Sequence, residues 1–418
     1  MPEHFERLAA AVSTLLPAAE QLLSDLIALP SLSGHEESAV RRMAAAFEDV
    51  GRAELQNLSA EMKSDPDYSF IEAGIDYADR HNLLVRMDGS GAGRSAILQT
   101  HLDVVPAGDW TQAFAPRVED GIVFGRGACD CKGQAATLWL ALTALHNSGI
   151  KLKGDVLAQF VVEEEIGGNG ALAAILACDR ADAALILEPT SVQIHPACRG
   201  ACWFRYTVAG RAVHMGRRRE GVNAFEKAMK LCSALLDYES NLITASRNQP
   251  LFERYEHPVQ VNIGVVRAGD WPSMVPDSCV VEGGVGFLPN KPMREVMDDL
   301  WQLVLDSGDT WLIENTKLDF PKLHNDAYRM DPNHPAVLSL ANACKLSGLK
   351  SEVFGWNVSC DARLYALRGG IPAIVFGPGD IAHAHSNHEQ ICMDDIGRAA
   401  VAIARWLMDW CGVTTRIL

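Results

Sequence analysis

Five short patches of the chain carry side chains able to bind cations, and each follows or lies near a stretch that reads as a strand. They are Thr100-His101-Leu102-Asp103, Gly127-Ala128-Cys129-Asp130, Glu163-Glu164-Glu165-Ile166-Gly167-Gly168, Leu187-Glu188-Pro189 and His383-Ala384-His385. Two imidazoles, one aspartate and two glutamates are the donors a pair of divalent cations needs when one carboxylate bridges them. A further glutamate beside a ligand could take a proton from water held between the ions. That chemistry is metal-dependent hydrolysis.

His101 ends an apolar strand, and Asp103, two residues on, can accept the ring's second N–H and fix its tautomer. Asp130 precedes a helix, where Asp also serves as an N-cap. Glycines on both sides of it favour a backbone drawn close to an ion, with the carboxylate bridging. Cys129 and Cys131 form a Cys-x-Cys pair, but no second pair completes a tetrahedral thiolate site. A run such as Glu163-Glu164-Glu165 is ordinarily a solvated face. Here it follows a strand that is apolar but for Gln159, and cations are the natural compensation. Adjacent residues point different ways, so Glu165 is assigned as a ligand and Glu164 as general base and acid. Glu188 ends a buried strand, where an unpaired carboxylate would be expensive. Of His383, His385 and His388, at least one is expected to be a ligand.

The elements that must position these residues alternate. Helical spacing covers residues 4–30, and Ser33-Gly34-His35-Glu36 reads as a capping box opening a helix to about Asp49. A polar stretch from Ser59 to Arg80 reads as loop. Strands are expected at 82–87, 95–100, 155–162 and 183–187, with helices at 132–148 and 169–178 (the latter ending at Cys178). This rhythm implies an α/β domain with a mixed, largely parallel sheet and helices on both faces, and ligands collecting beyond the strands' carboxyl ends. After Pro196 the order becomes β-α-β-β-α-β, the ferredoxin-like unit, closing with Trp311–Leu318 as a strand. The expected division is 1–196 and 323–418 for the catalytic domain, with 197–322 inserted into it.

At 418 residues the chain has room for two domains. Its 48% apolar and 22% charged residues are an ordinary globular balance. The formal net charge of −16 argues against nucleic acid. No stretch approaches the ~18 consecutive apolar residues of a membrane span, and no signal peptide is evident at Met1-Pro2-Glu3-His4. Eleven scattered cysteines, mostly in apolar runs, read as reduced thiols of a cytoplasmic protein.

With these motifs in order along almost the whole chain, the sequence resembles the co-catalytic dinuclear zinc aminoacylase and carboxypeptidase family, which includes acetylornithine deacetylase and succinyl-diaminopimelate desuccinylase. The matching stretches are His101–Pro106, Gly125–Gly133, Glu163–Gly168, Glu188-Pro189-Thr190, Gly210–Asn223, Trp271–Pro276 and Ala384-His385 with Glu389. The resemblance implies a zinc-peptidase-like catalytic domain and a dimerisation role for the inserted one. It puts His101 and Glu188 on one metal, Glu165 and His385 on the other, and Asp130 between them. It makes Glu164 the base and Asp103 the orienter of His101. It further implies that His214, from the inserted domain and usually of the other subunit, stabilises the oxyanion, and that the Asp130–Cys131 peptide is cis. Two divalent ions per subunit are expected, zinc by the ligand types, with cobalt or manganese tolerated. Arg363, Asn223 and Gly379 are candidate substrate contacts.

Three departures bear on substrate: Cys131 stands where Met is frequent, His388 where Asn or Asp is usual, and Glu282–Phe287 lacks the arginine common there. The expected activity is cleavage of a C–N bond, first the amide of an N-acyl amino acid by an acetylornithine deacetylase-like enzyme. The alternatives are an amidohydrolase or aminohydrolase acting on an aromatic or other non-amino-acid compound, a dipeptidase, and a metal-free binding homologue. The expected partners are a small-molecule substrate and a second copy of the chain.

Overall fold

The computed structural model describes residues 2–69, 74–177 and 179–414. A six-stranded sheet runs in the order Arg52–Asn57, His81–Met87, Val156–Val161, Ala96–His101, Ala183–Ile186, Ala373–Val375. The last four are mutually parallel and the first two pair antiparallel. Every residue of strands 96–101, 156–161 and 183–186 is buried, which is why these segments are largely apolar rather than alternating, with Gln99, Thr100, His101 and Gln159 as the buried polar exceptions. Helices Pro2–Ile27, Lys132–Asn147, Pro335–Leu346 and Met393–Cys411 pack on one another. Together with the sheet they enclose one apolar cluster.

A second cluster forms separately. Strands Val261–Ala268, Ser278–Phe287, Gly200–Ala209 and Thr316–Asp319 lie in that order, all antiparallel. This is the spatial order a β-α-β-β-α-β unit generates. Cys202, Phe204, Tyr206 and Val208 are buried on the face packed against helices Ala224–Ala245 and Met293–Asp306. Trp203 and Arg205 alternate onto the opposite face.

Three expectations need correction. No capping box forms at Ser33: the Ser33 hydroxyl donates to Asp103 Oδ2 at 3.3 Å and Glu36 is taken by Arg80, so helix Glu37–Ala46 starts without a side-chain cap. Residues 311–315 are helical rather than extended, because the Asp309 carboxylate caps Leu312 N and starts the helix Thr310–Asn315; only Thr316–Asp319 continues as strand. The polar stretch 59–80 is not merely loop, since it holds a short 3-10 helix at Ala60–Ser64 and delivers Tyr77 and Arg80 to the site. Cys178, at the end of an expected helix, lies outside the described residues. No described helix is long and apolar enough to cross a membrane.

Candidate metal centre

The donors converge because the parallel strands end on one side. His101 is the last residue of its strand; Glu163–Glu165 begin two residues after strand 156–161, and Glu188 follows strand 183–186 by two residues. Asp130 arrives at the start of helix 132–147, behind a cis Asp130–Cys131 peptide. His385 comes from the loop after the 3-10 turn Ile381–His383.

Among the described residues two groups of ligand atoms result, each within 4.8 Å: His101, Asp130, Cys131 and Glu188, and Asp130, Glu165 and His385. Asp130 belongs to both. Its Oδ1 lies 3.0 Å from His101 Nε2 and its Oδ2 3.4 Å from His385 Nε2. His385 Nε2 is also 3.0 Å from Glu165 Oε2. His383 instead faces Gln390, and the His388 backbone N–H donates to Ser386. Cys129 Sγ turns away to the Asp380 carbonyl at 3.2 Å.

The electrostatics are those of a cation site. Burial, with the Asp130 charge beside it, pushes Glu165 up to about 7. Burial likewise pushes Glu188 up to about 8, against the pull of His101. Glu164 is raised well above the ordinary carboxylate range, again chiefly by burial. Burial works to raise Asp130 too, but hydrogen bonds with His101 and His385 outweigh it and hold that carboxyl low. Hydrogen bonds with Asp130 and Glu165 raise His385 to about 10. Three carboxyl groups pushed towards neutrality around two imidazoles fit divalent cations, whose charge would hold those acids ionised.

The flanking residues fix the donors. His101 Nδ1 is 3.0 Å from the Asp103 carbonyl and 3.4 Å from its carboxylate. That carboxylate accepts the backbone N–H groups of Glu164 and Glu165, each at 3.1 Å. One side chain therefore ties the imidazole to the acidic run. Glu163 is fully buried with φ +63°, and it is held by Arg80, by Tyr77 Oη at 2.8 Å and by Asn169 Nδ2 at 2.8 Å. A left-handed residue there aims the next two N–H groups at Asp103. Glu389 accepts from the backbone N–H groups of Gly127, Cys129 and Asp130 and pairs with Arg126 at 2.7 Å, wrapping the 125–130 loop round one buried carboxylate.

Sequence reasoning missed Glu163, Arg80 and Glu389 as supports. Glu389 was visible only as part of a matching stretch, and Arg80 carried no local signal. Asp361, buried beside the ligands and accepting from Gln99 at 2.9 Å, was also missed.

The remaining candidates stand apart from the donors. Arg363 is buried and donates to the Gly167 carbonyl at 3.2 Å, with Asp67 at 3.6 Å. Gly379 has φ +82°, and a β-carbon there would come within 3.0 Å of Cys129 Sγ, so glycine is required where that loop crosses the Asp130 segment. Asn223 caps helix 224–245, its Oδ1 accepting from Phe225 N and Glu226 N. His214 is exposed on the inserted unit, and its Nδ1 accepts from Gly216 N at 3.2 Å.

Known proteins resemble this chain over most of its length. The profile of peptidase family M20/M25/M40 matches residues 97–409. An acetylornithine deacetylase from Myxococcus xanthus is 29% identical over 408 residues, covering 96% of this chain and all of that protein. The Bacillus subtilis (strain 168) N-formyl-4-amino-5-aminomethyl-2-methylpyrimidine deformylase is 25% identical over 361 residues, covering 80% of this chain and 84% of that one. The Saccharomyces cerevisiae di-peptidase Dug1p superposes with a TM-score of 0.78 at 14% identity, over 98% of this chain and 99% of that one.

Proposed function

The chain belongs to peptidase family M20/M25/M40 and is a metal-dependent hydrolase acting on carbon–nitrogen bonds, and from that premise we propose that it deacylates an N-acyl amino acid or a related small amide. The observation carrying this reading is Asp130, shared by two donor groups with the acidic Glu164 alongside. His101 and Glu188 would hold one ion, Glu165 and His385 the other, and Asp130 both. When bound, such ions polarise the scissile carbonyl and acidify the attacking water.

The chain's own residues do the rest. Glu164 takes the water's proton and later gives it to the leaving nitrogen, a use for a carboxyl whose pKa burial has raised. Asp103 keeps His101 in one tautomer and positions the Glu164 backbone. His214 donates to the oxyanion. It lies on the inserted unit, so we assign it to the partner's site in a homodimer. Supporting the dimer, strand 261–268 is an edge of its sheet, and Val266, Met215, Met274 and Trp271 are exposed, the last at 69%. Phe225, Met229 and Leu236 add an exposed apolar stripe on helix 224–245.

Substrate carboxylate recognition has a second source besides Arg363. Strand 278–287 carries no arginine, but Arg199 fills the space over Gly286, where a β-carbon would lie 2.9 Å from its Nη1. Arg199, Trp203 and Lys322 line a groove of about 380 Å³. The backbone at Trp203 is bonded to Leu323, which sits against Gly167 of the acidic loop. The test is a panel of N-acyl amino acids, dipeptides and N-formyl aminomethyl-aromatics presented to zinc-loaded protein, with amine and carboxylate release measured. N-acyl amino acids should turn over fastest. Faster release from the aromatic formamides, the chemistry in the deformylase's name, would replace the proposed substrate while leaving the reaction class intact.

A further inference from the structure

We propose that Cys131 is a protein ligand of the ion held by His101 and Glu188, so that one of the two metal positions has a thiolate donor and the other has none. The inference rests on the dinuclear reading above and deepens it. Cys131 is fully buried, and its Sγ lies 3.1 Å from Glu188 Oε2 and 3.2 Å from Asp130 Oδ1. The His101 nitrogen falls within the same 4.8 Å group. Metal bonds of about 2.0–2.1 Å to nitrogen, 2.0–2.2 Å to oxygen and 2.3 Å to sulfur place tetrahedral donors roughly 3.3–3.8 Å apart. Three of the separations, Cys131 Sγ to Glu188 Oε2 at 3.1 Å, Cys131 Sγ to Asp130 Oδ1 at 3.2 Å and His101 Nε2 to Asp130 Oδ1 at 3.0 Å, are within about half an ångström of that spacing, and all four donors lie within 4.8 Å of one another, so an ion could gather them by side-chain adjustment.

The neighbouring cysteine sharpens the assignment. Cys129 Sγ is committed to the Asp380 carbonyl at 3.2 Å and belongs to neither donor group. The Cys-x-Cys pair therefore does not act as a unit. One sulfur joins a mixed nitrogen and oxygen set, and no second cysteine pair is needed. On binding, the Cys131 S–H bond is replaced by a sulfur–metal bond and the proton leaves to solvent. A soft donor at this position favours zinc or cobalt over manganese or magnesium there. The Glu165 and His385 position, with oxygen and nitrogen donors among the described residues, discriminates less.

The test uses the full chain, stripped of metal and titrated with cobalt(II) alone, reading bound cobalt per subunit and the near-ultraviolet sulfur-to-cobalt charge-transfer band. Wild type should develop the band as one of its two ions binds. Cys129→Ser should keep it, while Cys131→Ser and Cys131→Met should lose it. Those two variants should also bind that ion at least about tenfold more weakly, the scale on which even outer-sphere partners act. X-ray absorption of the zinc-loaded wild type should show a sulfur neighbour at about 2.3 Å, a readout that needs no variant to fold. Two bound ions without the band or the sulfur neighbour would overturn the thiolate and leave the dinuclear site standing. Failure to bind any cobalt would overturn both. A band that survives in Cys131→Ser would assign the sulfur elsewhere and overturn the proposal.

Discussion

The two histidines His101 and His214 occupy opposite kinds of environment. His101 is fully buried at the end of a parallel strand, and both ring nitrogens are engaged, by Asp103 and by Asp130. His214 is exposed at the start of a 3-10 turn on the antiparallel unit, where the Gly216 N–H is its side chain's hydrogen-bond partner. The first is fixed by neighbours that are themselves fixed, as a metal ligand must be. The second can serve catalysis only if something outside its own core brings substrate or another subunit to it. The contrast separates a rigid donor cluster in one region from an exposed imidazole in the other, which the proposed mechanism brings together.

The largest expected effect separates base from ligand within the rigid region. Glu164→Gln should retain both ions and lose roughly 10²–10⁴-fold in kcat, whereas Glu165→Gln should weaken one metal position. Metal analysis beside steady-state kinetics checks this, and equal metal loss in the two variants would erase the distinction. Next is the support of the acidic run. Arg80 pairs with both Glu36 and Glu163 in the interior. Arg80→Ala leaves two buried carboxylates without it and should destabilise the protein by about 3–5 kcal/mol in denaturant unfolding. A loss below about 1 kcal/mol would mean that the rigid region is rigid for other reasons.

In the other region, His214→Ala should lower kcat by about 10²–10³-fold, the scale of an oxyanion donor, with metal content and stability unchanged. A larger effect on stability than on turnover would make His214 structural. The smallest effect concerns His195, whose burial depresses its pKa to about 4 while Nδ1 lies 2.9 Å from the Phe354 carbonyl. The unfolded chain takes up this proton below its ordinary value of 6.5, and the folded chain refuses it until about 4. Stability is therefore unaffected by His195 above 6.5 and falls as pH drops from 6.5 towards 4. At roughly 1.4 kcal/mol per pKa unit, the loss approaches about 3 kcal/mol. His195→Gln should lack this part of the slope in unfolding measured across that range.

How much of this could be read from sequence follows the same divide. His101, Glu165 and Glu188 were legible because each follows a largely apolar strand, and Asp130 because it lies beside a glycine turn, whereas His385 was singled out from His383 and His388 only by the family resemblance. The donors' supports were not legible. Arg80 reaches Glu163 across 83 residues and Glu389 reaches Asp130 across 259. Such partners are chosen by tertiary packing and leave no local pattern. The capping box at Ser33 failed for the same reason, since Asp103 and Arg80 offered its side chains better partners than the helix end did. In the inserted unit the strand order was legible from alternation, while residues 311–315 were misread because Trp311, Leu312 and Ile313 suit a strand as well as a short helix.

The central claim is that a buried ligand cluster of one chain is completed by an exposed histidine of another, and subunit mixing tests it most directly. His214→Ala and Glu164→Gln proteins, each inactive alone, are exchanged to equilibrium and assayed together. If His214 acts across a two-fold dimer, half the dimers are mixed and one of their two sites is intact, so activity should return to about a quarter of wild type. Complete exchange with no recovery would contradict the account.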